Sequence, residues 1–565
     1  MTTAAELYAR HREMLDRAVT ATRERTYWSA FPEGLKAYGD DGTQSAAEGA
    51  AAFERWLGKP FPLEQPGTDG EAGREHSPYG VELGVSYPHV DPDAALAAAQ
   101  EALPLWRDAG PDARAGVCLE ILGRINARSH EMASAVMHTS GQAYAMAFQA
   151  GGPHAQDRAL EAVAYAYTEM TRHLPESVWE KPQGKRPPQR MAKRFTVVPR
   201  GVALVIGCKT FPTWNSYPGL FASLVTGNPV LVKPHPGAVL PLAITVSIAR
   251  EVLAEAGFSA DLVQLMAEQE GEGLAKTLAL RPEVRVIDYT GSSEFGVWLE
   301  RNAVQAAVFT EKAGVNSVVV DSTDDYRGML ANLAFSLSLY TGQMCTTPQN
   351  ILVARNGITA DGEHKDVEQL GADLAAAVDG LLGDDARATA LLGAVVNEAV
   401  LDRLGSAPSY GDVLLPSREV THPEFPEATV RTPTIVRLDA KDRDRFLQEC
   451  FGPISFLITT DSTEASIELL RDSVREQGAI TASVYSTDEA VLQAAEDAAL
   501  DSGVALSCNL TESVYVNQSA AFSDFHATGA NPAANAALTD AAYVASRFRI
   551  VQSRRPLPAD AAATG

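Results

Sequence analysis

The sequence contains only five cysteines, and none of them forms a Cys-x-x-Cys pair. Their wide spacing excludes a disulfide framework and a zinc knuckle, so we expect free thiols and no metal site. Long apolar runs are missing too, because no stretch approaches the roughly 18 residues of a membrane span. The polar amino terminus lacks the apolar core of a signal peptide. These absences predict a cytoplasmic protein.

Positive charge is scarce. The 47 lysines and arginines are outnumbered by 72 aspartates and glutamates, which gives a formal net charge of -25. Phosphate contacts need clustered Lys and Arg, so nucleic acid and anionic membrane surfaces are disfavoured as partners. Apolar residues, in contrast, make up 45% of the 565 positions. A chain of this size and composition can bury several domain-sized cores.

Composition and periodicity divide the first 200 residues into three parts. Residues 1–80 begin as a helix and continue through a Gly- and Pro-rich stretch, which predicts an extension wrapped around a larger body. Residues 92–172 are Ala-rich with helical periodicity and predict two or three packed helices. The basic, Pro-containing run 177–200 predicts an extruded arm with an edge strand.

After residue 200, short apolar runs alternate with helical segments. GVALVIG, PVLVKP and RVIDYTG are each followed by a helix, and a second series starts at NSVVVD and includes a long helix over 324–341. The order strand, helix, strand implies right-handed crossovers and a parallel sheet. The sequence therefore predicts an α/β fold class, with two α/β units in tandem.

Two features of the first series could bind a phosphorylated ligand. In DYTGSSEFG, a strand runs into Gly291 and Ser292 and then into a helix, where backbone N–H groups can stabilise a phosphate and Gly296 permits close approach. Alone, this pattern is more typical of a structural turn. Lys233 ends a predicted strand and can reach a ribose or a phosphate, or it is simply a solvated lysine.

Two further residues could carry chemistry. Cys345 lies in GQMCTTPQN, among small and hydroxylated neighbours instead of the apolar ones that flank a structural thiol. A thiolate is suited to attack an aldehyde or ester carbonyl. Glu311 follows an apolar strand thirty-four positions earlier, where a carboxylate acts as a general base or only caps the surface.

The order and spacing of these motifs resemble the aldehyde dehydrogenase superfamily. GVALVIG with a following FP, VLVKP, TGS, a strand-end glutamate, GQMCT and ECFGP occur in the order typical of its members, over residues 80 to 555. The segments YWSAFPEGLKAYG and TEKAGVNSVVVDSTDD also resemble the PaaN proteins of phenylacetic acid degradation. We expect membership of that family over the full length.

The resemblance implies an aldehyde dehydrogenase-like fold with two Rossmann-like parallel-sheet domains and a small oligomerisation arm. Residues 81–176 and 200–309 would form the NAD(P)-binding domain, and residues 310–530 the catalytic domain. The arm would comprise residues 177–199 and 540–555. Because the arm is expected to pair with YVASRFRIVQS of a neighbouring subunit, the resemblance implies a homodimer or homotetramer.

The resemblance also assigns roles to the site residues. Cys345 would attack the aldehyde to give a thiohemiacetal, which passes a hydride to the nicotinamide and leaves a thioester. Glu311 would activate water for hydrolysis of that thioester. The remaining residues would hold the cofactor: Glu449 the nicotinamide ribose with Phe451 packing nearby, Lys233 the adenosine ribose, and Ser292 with Gly291 and Gly296 the pyrophosphate.

The chain departs from the superfamily pattern at two positions. Thr210 stands where most members have the asparagine that binds the developing oxyanion, so its hydroxyl would serve, with Lys209 or Asn215 as further donors. Pro236 stands where NAD-preferring members often have a glutamate. Without that carboxylate a 2′-phosphate is tolerated, with His235 assisting, so we expect NADP as the first cofactor and NAD as the second.

For the substrate, the resemblance is the only guide. It implies the ring-opened, CoA-bound semialdehyde of phenylacetate degradation, 3-oxo-5,6-dehydrosuberyl-CoA semialdehyde. Because the sequence ends at RRPLPADAAATG, we expect the ring-opening hydratase to be a separate protein. Two alternatives stay open: a CoA-acylating aldehyde dehydrogenase, against which Glu311 argues, and a catalytically silent nucleotide-binding homologue, which Thr210 keeps possible.

Overall fold

The amino-terminal extension is packed on the body of the protein. The computed structural model describes residues 3–39, 42–312 and 314–558. Two helices are followed by a pair of antiparallel strands, in the order Ala4–Glu24, Thr43–Glu54, Thr68–Ala72 and Tyr87–Val90. Leu7, Leu15 and Phe53 are buried in the same hydrophobic core as the helices behind them. The extension therefore contributes to the main core.

Residues 92–172 form more helices than the two or three that the sequence predicts. Five α-helices and one π-helical turn are present: Pro92–Asp108, Gly110–Asn126, Ser129–Ser140, Tyr144–Gln149, Ala150–His154 (π) and Ala155–Met170. Gly110 (φ +83°) and Gly141 (φ +75°) adopt left-handed backbone conformations that end helices. The apolar pattern alone runs across these breaks, so it gives too few helices.

Five strands form the first sheet: β1 Val202–Ile206, β2 Val230–Lys233, β3 Val263–Leu265, β4 Val284–Thr290 and β5 Ala307–Glu311. They are all parallel and lie in the order β3-β2-β1-β4-β5. The connecting helices are Pro212–Val225, Leu240–Glu255, Leu274–Ala279 and Ser293–Asn302. In this doubly wound order the strand sequence reverses between β1 and β4, where ligands bind at the carboxyl ends.

Seven strands form the second sheet: β6 Ser317–Val320, β7 Asn350–Ala354, β8 Asp412–Leu415, β9 Thr434–Asp439, β10 Ile454–Thr460, β11 Thr481–Tyr485 and β12 Ala505–Cys508. Their order is β8-β9-β10-β7-β6-β11-β12, and only the edge pair β8–β9 is antiparallel. The predicted α/β class with two parallel-sheet units is confirmed.

The helices around the second sheet are Tyr326–Ser338, Val367–Leu382, Asp385–Leu392, Glu398–Tyr410, Arg443–Phe446, Thr463–Gln477 and Glu489–Ser502. The first of these is shorter than the helix predicted over 324–341. Two small sheets lie beside them, formed by Ser322–Thr323, Ile358–Ala360 and Glu363–Lys365, and by Glu419–Val420 with Val430–Arg431. Within the described residues, no helix combines the length and apolar composition needed to cross a membrane.

The arm is a three-stranded antiparallel sheet built from one chain. Strands Glu176–Gln183 and Arg186–Pro199 form a hairpin, and the second strand pairs with Phe548–Pro556. The resemblance implied this last pairing between neighbouring subunits, whereas the structure forms it within the chain. A buried ion pair between Arg547 and Asp288 of β4, with N···O 2.6 Å, holds the start of the carboxyl-terminal strand against the first sheet.

Candidate active site

Cys345 lies on the loop between helix Tyr326–Ser338 and β7, and this loop is held firmly. Tyr340 and Thr341 both have φ +53°, a left-handed conformation that costs non-glycine residues about 1–3 kcal/mol and persists only where the surroundings enforce it. Asn316 Nδ2 donates to the Cys345 carbonyl at 2.8 Å, and its Oδ1 accepts two backbone N–H groups at the start of β11. The loop therefore holds the thiol in one position.

The Cys345 thiol borders two cavities. On one side is a cleft of about 540 Å³, whose lining is largely apolar and aromatic, including Phe211, Trp214, Phe335 and Tyr515. On the other side is a narrow recess, lined by Gly314, Asn316, Thr347, Gln349, Glu449, Phe451 and Gly452. The predicted residues Glu449 and Phe451 thus lie in the same recess as the sulfur. The recess encloses only about 10 Å³, which is room for one water-sized group. A substrate in the cleft can therefore reach the sulfur, whereas a larger group on the recess side requires the recess to widen.

Glu311 ends β5 and lies in a buried cluster beside Cys345. His526 Nε2 is 3.2 Å from Glu311 Oε1 and 3.8 Å from Cys345 Sγ. Asn215 Nδ2 donates to both carboxylate oxygens of Glu311 at 3.4 Å. The structure therefore brings together the two residues that the sequence singled out for chemistry. His526 was missed, because an isolated histidine in DFHATG has no motif spacing that signals a role.

The cluster changes the pKa values of Glu311 and Cys345. Burial alone would raise the pKa of Glu311, but its contact with His526 and hydrogen bonds from the Cys345 thiol and the Asn215 amide together lower it below its ordinary value. Burial and the adjacent Glu311 carboxylate raise the pKa of the Cys345 thiol well above its ordinary value. Glu311 is therefore a carboxylate at neutral pH, and the sulfur needs a base or a nearby positive charge to ionise.

Thr210 does not face Cys345. Its hydroxyl lies 4.0 Å from Cys208 Sγ, and the residue is not part of the cleft lining. The Lys209 ammonium donates to a backbone carbonyl of another loop. Of the three donors considered for the developing oxyanion, only Asn215 borders the cleft, because it sits on the first turn of the helix that follows β1.

The donor atoms of Glu311, Cys345 and His526 lie within 4.8 Å of one another. A carboxylate, a thiolate and an imidazole are ligands that Zn²⁺ accepts. The sequence predicts no metal site because it offers no local ligand spacing, whereas Cys345 and His526 are 181 positions apart. Such a cation would block the sulfur that the reaction needs, so we assign these three residues to the nucleophile's site and give none of them a role as a metal ligand.

The carboxyl edge of the first sheet carries the residues predicted to bind a dinucleotide. Lys233 ends β2, and Gly291 and Ser292 follow β4, where Ser292 caps helix Ser293–Asn302 through its side-chain oxygen. A Cβ added at Gly291 or Gly296 would lie 2.4 or 2.6 Å from a neighbouring side chain. Space at both glycines is therefore tight. The Gly291 N–H donates to the Glu311 carbonyl at 3.1 Å and the Gly296 N–H to the Ser292 carbonyl at 3.0 Å, so a phosphate here would meet the positive end of the helix dipole and not these two groups. The pyrophosphate role of these residues stays a prediction.

An unpredicted carboxylate lies against Lys233. Glu268, three residues beyond β3, forms an ion pair with this buried lysine, and its Oε1 accepts the Leu274 N–H at 3.0 Å. His235 Nδ1 accepts the Gly237 N–H at 3.0 Å, so this nitrogen carries no proton and the exposed ring adds no positive charge. The absence of a glutamate at Pro236 is therefore offset by a carboxylate from the neighbouring strand end.

The aldehyde dehydrogenase family matches residues 86–537 of this chain. A crystal structure of an NAD-dependent aldehyde dehydrogenase from Burkholderia multivorans is 57% identical, with a TM-score of 0.96, and the match covers 99% of this chain and 100% of that one. The 1-pyrroline-5-carboxylate dehydrogenase of Geobacillus sp. (strain WCH70) is 25% identical over 72% of this chain and 75% of its own length.

A structure of 1-pyrroline-5-carboxylate dehydrogenase from Thermus with bound NAD shares the fold, with a TM-score of 0.70 at 19% identity, over 92% of this chain and 97% of that one. The two parallel-sheet domains agree with these matches. The expected NAD(P)-dependent oxidoreductase is thereby confirmed at the level of its class, and the chain belongs to the aldehyde dehydrogenase family.

Proposed function

We propose that this protein oxidises an aldehyde to a carboxylic acid through a thioester on Cys345. The observation that carries the proposal is the position of the sulfur, which borders both the cleft and the recess and has the Glu311 carboxylate beside it. A thiol in this position can be approached by an aldehyde from the cleft, and by a nicotinamide from the other side once the recess widens. The adjacent carboxylate favours hydrolysis over transfer of the acyl group to CoA.

The residues of the chain divide the reaction into two steps. Cys345 bonds to the aldehyde carbon to give a thiohemiacetal, and the Asn215 amide lies where it can donate a hydrogen bond to the oxygen that becomes negative. Glu449 and Phe451 line the recess beside the sulfur and would hold the nicotinamide end of a cofactor, which would supply the hydride acceptor. Glu311 then takes a proton from water, which attacks the thioester and releases the acid and the thiol.

The substrate is proposed to be an ω-semialdehyde, and more finely the CoA-bound semialdehyde of phenylacetate degradation, on the strength of the resemblance to PaaN proteins. The cleft supports a long, largely apolar acyl arm. Among the residues that the structure describes, the lining includes Glu33 and Asp524 but no lysine or arginine, so the phosphates of a CoA thioester would have to remain outside the cleft. A free semialdehyde and its CoA thioester are therefore the two substrates to compare.

NAD is proposed as the preferred cofactor. The expectation of NADP depended on the absence of a carboxylate near Lys233, and Glu268 supplies one. A carboxylate there accepts ribose hydroxyl groups and repels a 2′-phosphate. The Burkholderia multivorans protein, described as NAD-dependent, is consistent with this choice.

The test uses purified protein with a panel of semialdehydes, with and without the CoA thioester, and with both nicotinamide cofactors. Cys345→Ala should lower turnover on the order of 10³-fold or more, because the nucleophile is lost, while cofactor binding stays close to that of the wild type. Glu311→Gln should form one equivalent of reduced cofactor and then stall as a thioester, visible by mass spectrometry. Cys508→Ala, which removes another partly buried thiol, should leave turnover unchanged.

Full activity of Cys345→Ala would refute the proposal. The product separates hydrolysis from CoA acylation: the free acid should form whether or not CoA is added. A new thioester that appears only when CoA is present would show acyl transfer instead.

A further inference from the structure

Backbone hydrogen bonds and packed side chains fix the position of His526. Its backbone exchanges two hydrogen bonds with Leu538, at 3.2 and 2.9 Å. The buried Arg158 donates to the Leu538 carbonyl at 3.3 Å and to Ser519 Oγ at 3.0 Å. The imidazole also meets the Trp214 ring edge-on, with ring centroids 4.6 Å apart. The ring is therefore fixed, and it belongs to the same cleft as Cys345.

The two ring nitrogens have different surroundings. Nδ1 lies 3.4 Å from Ser519 Oγ, whose oxygen already accepts from Arg158. A proton on Nδ1 can be donated to this oxygen, which leaves the Nε2 lone pair directed at the cluster. Nε2 is 3.8 Å from Cys345 Sγ and 3.2 Å from Glu311 Oε1. One nitrogen therefore faces both the thiol and a carboxylate.

We propose that His526 is a catalytic residue that acts as the base for the Cys345 thiol. The S–H bond breaks, its electron pair stays on sulfur, and Nε2 takes the proton. The imidazolium that results lies opposite the Glu311 carboxylate, which stabilises the new positive charge. When the acyl group leaves, the sulfur regains a proton from Nε2.

The charges around His526 are consistent with this role. Glu311 and Cys345 face Nε2, and the charged group behind Nδ1 is Arg158, whose guanidinium is paired with Glu161 at 2.9 Å. The carboxylate of Asp524, two positions before His526, accepts a hydrogen bond from the Ala520 N–H at 2.8 Å. The site also requires a base, because a carboxylate beside a thiol disfavours the thiolate.

The inference depends on the proposed function only for the identity of the nucleophile, so its test needs no turnover. The rate at which iodoacetamide alkylates Cys345 is measured against pH in the absence of substrate and cofactor, with the modified peptide followed by mass spectrometry. In the wild type, alkylation should be substantial at pH 7. In His526→Ala it should be at least about ten-fold slower at pH 7 and recover at higher pH, because the thiol then ionises only in alkaline solution.

His526→Gln separates a base from a spacer, because glutamine retains a polar side chain of similar bulk beside Glu311 but cannot take the proton. It should react as slowly as His526→Ala. The matched control is His364→Gln, an exposed histidine of strand Glu363–Lys365 that does not line the cleft, and it should react like the wild type.

A profile for His526→Gln that equals the wild type would overturn the proposal, since the residue would then act only through its shape. An unchanged rate in both variants would overturn it too. If alkylation depends on His526 but no aldehyde is oxidised, the proposed function fails and the thiol–imidazole pair stands.

Discussion

At the scale of single residues, Glu268 should decide which cofactor is used. Its carboxylate pairs with Lys233, so a 2′-phosphate at this position would meet a negative charge and compete for an occupied lysine. We expect Glu268→Gln to raise the ratio of kcat/KM for NADP over NAD by about ten-fold, equivalent to about 1.4 kcal/mol. The measurement is steady-state kinetics with both cofactors at a saturating aldehyde concentration.

The control for this change is Glu272→Gln. Glu272 lies four positions further along the same loop, where it pairs with His89 at 3.1 Å instead of with Lys233. In Glu272→Gln, the ratio of kcat/KM for NADP over NAD should stay at the wild-type value. A wild-type enzyme that already prefers NADP, or a Glu268→Gln ratio that does not move, would contradict the assignment.

The sequence could identify residues whose neighbours along the chain carry the signal. Cys345 stands in a loop of small residues and Glu311 at a strand end, and both positions follow from local pattern. His526 and Glu268 have no such signal, because their partners are brought to them by the sheet order. Thr210 shows the opposite case. Its position in the motif can be identified from the sequence, but the direction of its hydroxyl depends on the folded loop, which places it beside Cys208.

At the scale of secondary-structure elements, Asp157 joins helix Ala155–Met170 to the amino-terminal extension. Its buried carboxylate accepts from Ser29 Oγ at 2.6 Å and from the Ala30 N–H at 3.0 Å. Burial raises the pKa of Asp157 from 3.8 to about 7. The folded protein therefore keeps this proton while the unfolded chain releases it, so stability falls as the pH rises from about 4 to about 7.

We predict that Asp157→Asn removes most of this loss, which the pKa difference bounds at roughly 4 kcal/mol. Asparagine can still accept the Ala30 N–H and can donate to Ser29. The unfolding temperature should therefore exceed that of the wild type by more at pH 8 than at pH 5. Asp16→Asn, at an exposed position of the extension, should show the same pH dependence of the unfolding temperature as the wild type. Equal pH dependence in wild type and Asp157→Asn would disprove the role of Asp157.

The elements themselves were largely predictable, with two informative failures. The central strands of both sheets, such as Val202–Ile206 and Asn350–Ala354, are buried on both faces and read as apolar runs, as parallel strands do. The helices between 92 and 172 were undercounted, because Gly110 and Gly141 interrupt an apolar stripe that continues on either side. The partner of the arm was assigned to another subunit, because the buried contact of Arg547 with Asp288 cannot be read from either segment alone.

At the scale of the whole molecule, the arm has no core of its own. Most side chains of strands Glu176–Gln183 and Phe548–Pro556 are exposed. Apolar ones are among them, with Val178 51% and Val551 54% exposed. A three-stranded sheet needs at least one covered apolar face to be stable, and the free edge of Glu176–Gln183 offers unpaired backbone groups. Most soluble assemblies are formed by identical chains, so a second copy is the expected cover.

We therefore predict that light scattering gives a dimer or tetramer of the 60.2 kDa chain. Val178→Lys combined with Val551→Lys should shift the mass toward that of one chain, because charged ammonium groups would have to be buried at the contact. Val304→Lys is the matched control, since Val304 is 84% exposed but lies outside the arm, and its mass should not change. A wild-type protein that scatters as a monomer, or an arm variant that remains assembled, would show that the arm is not the contact between subunits.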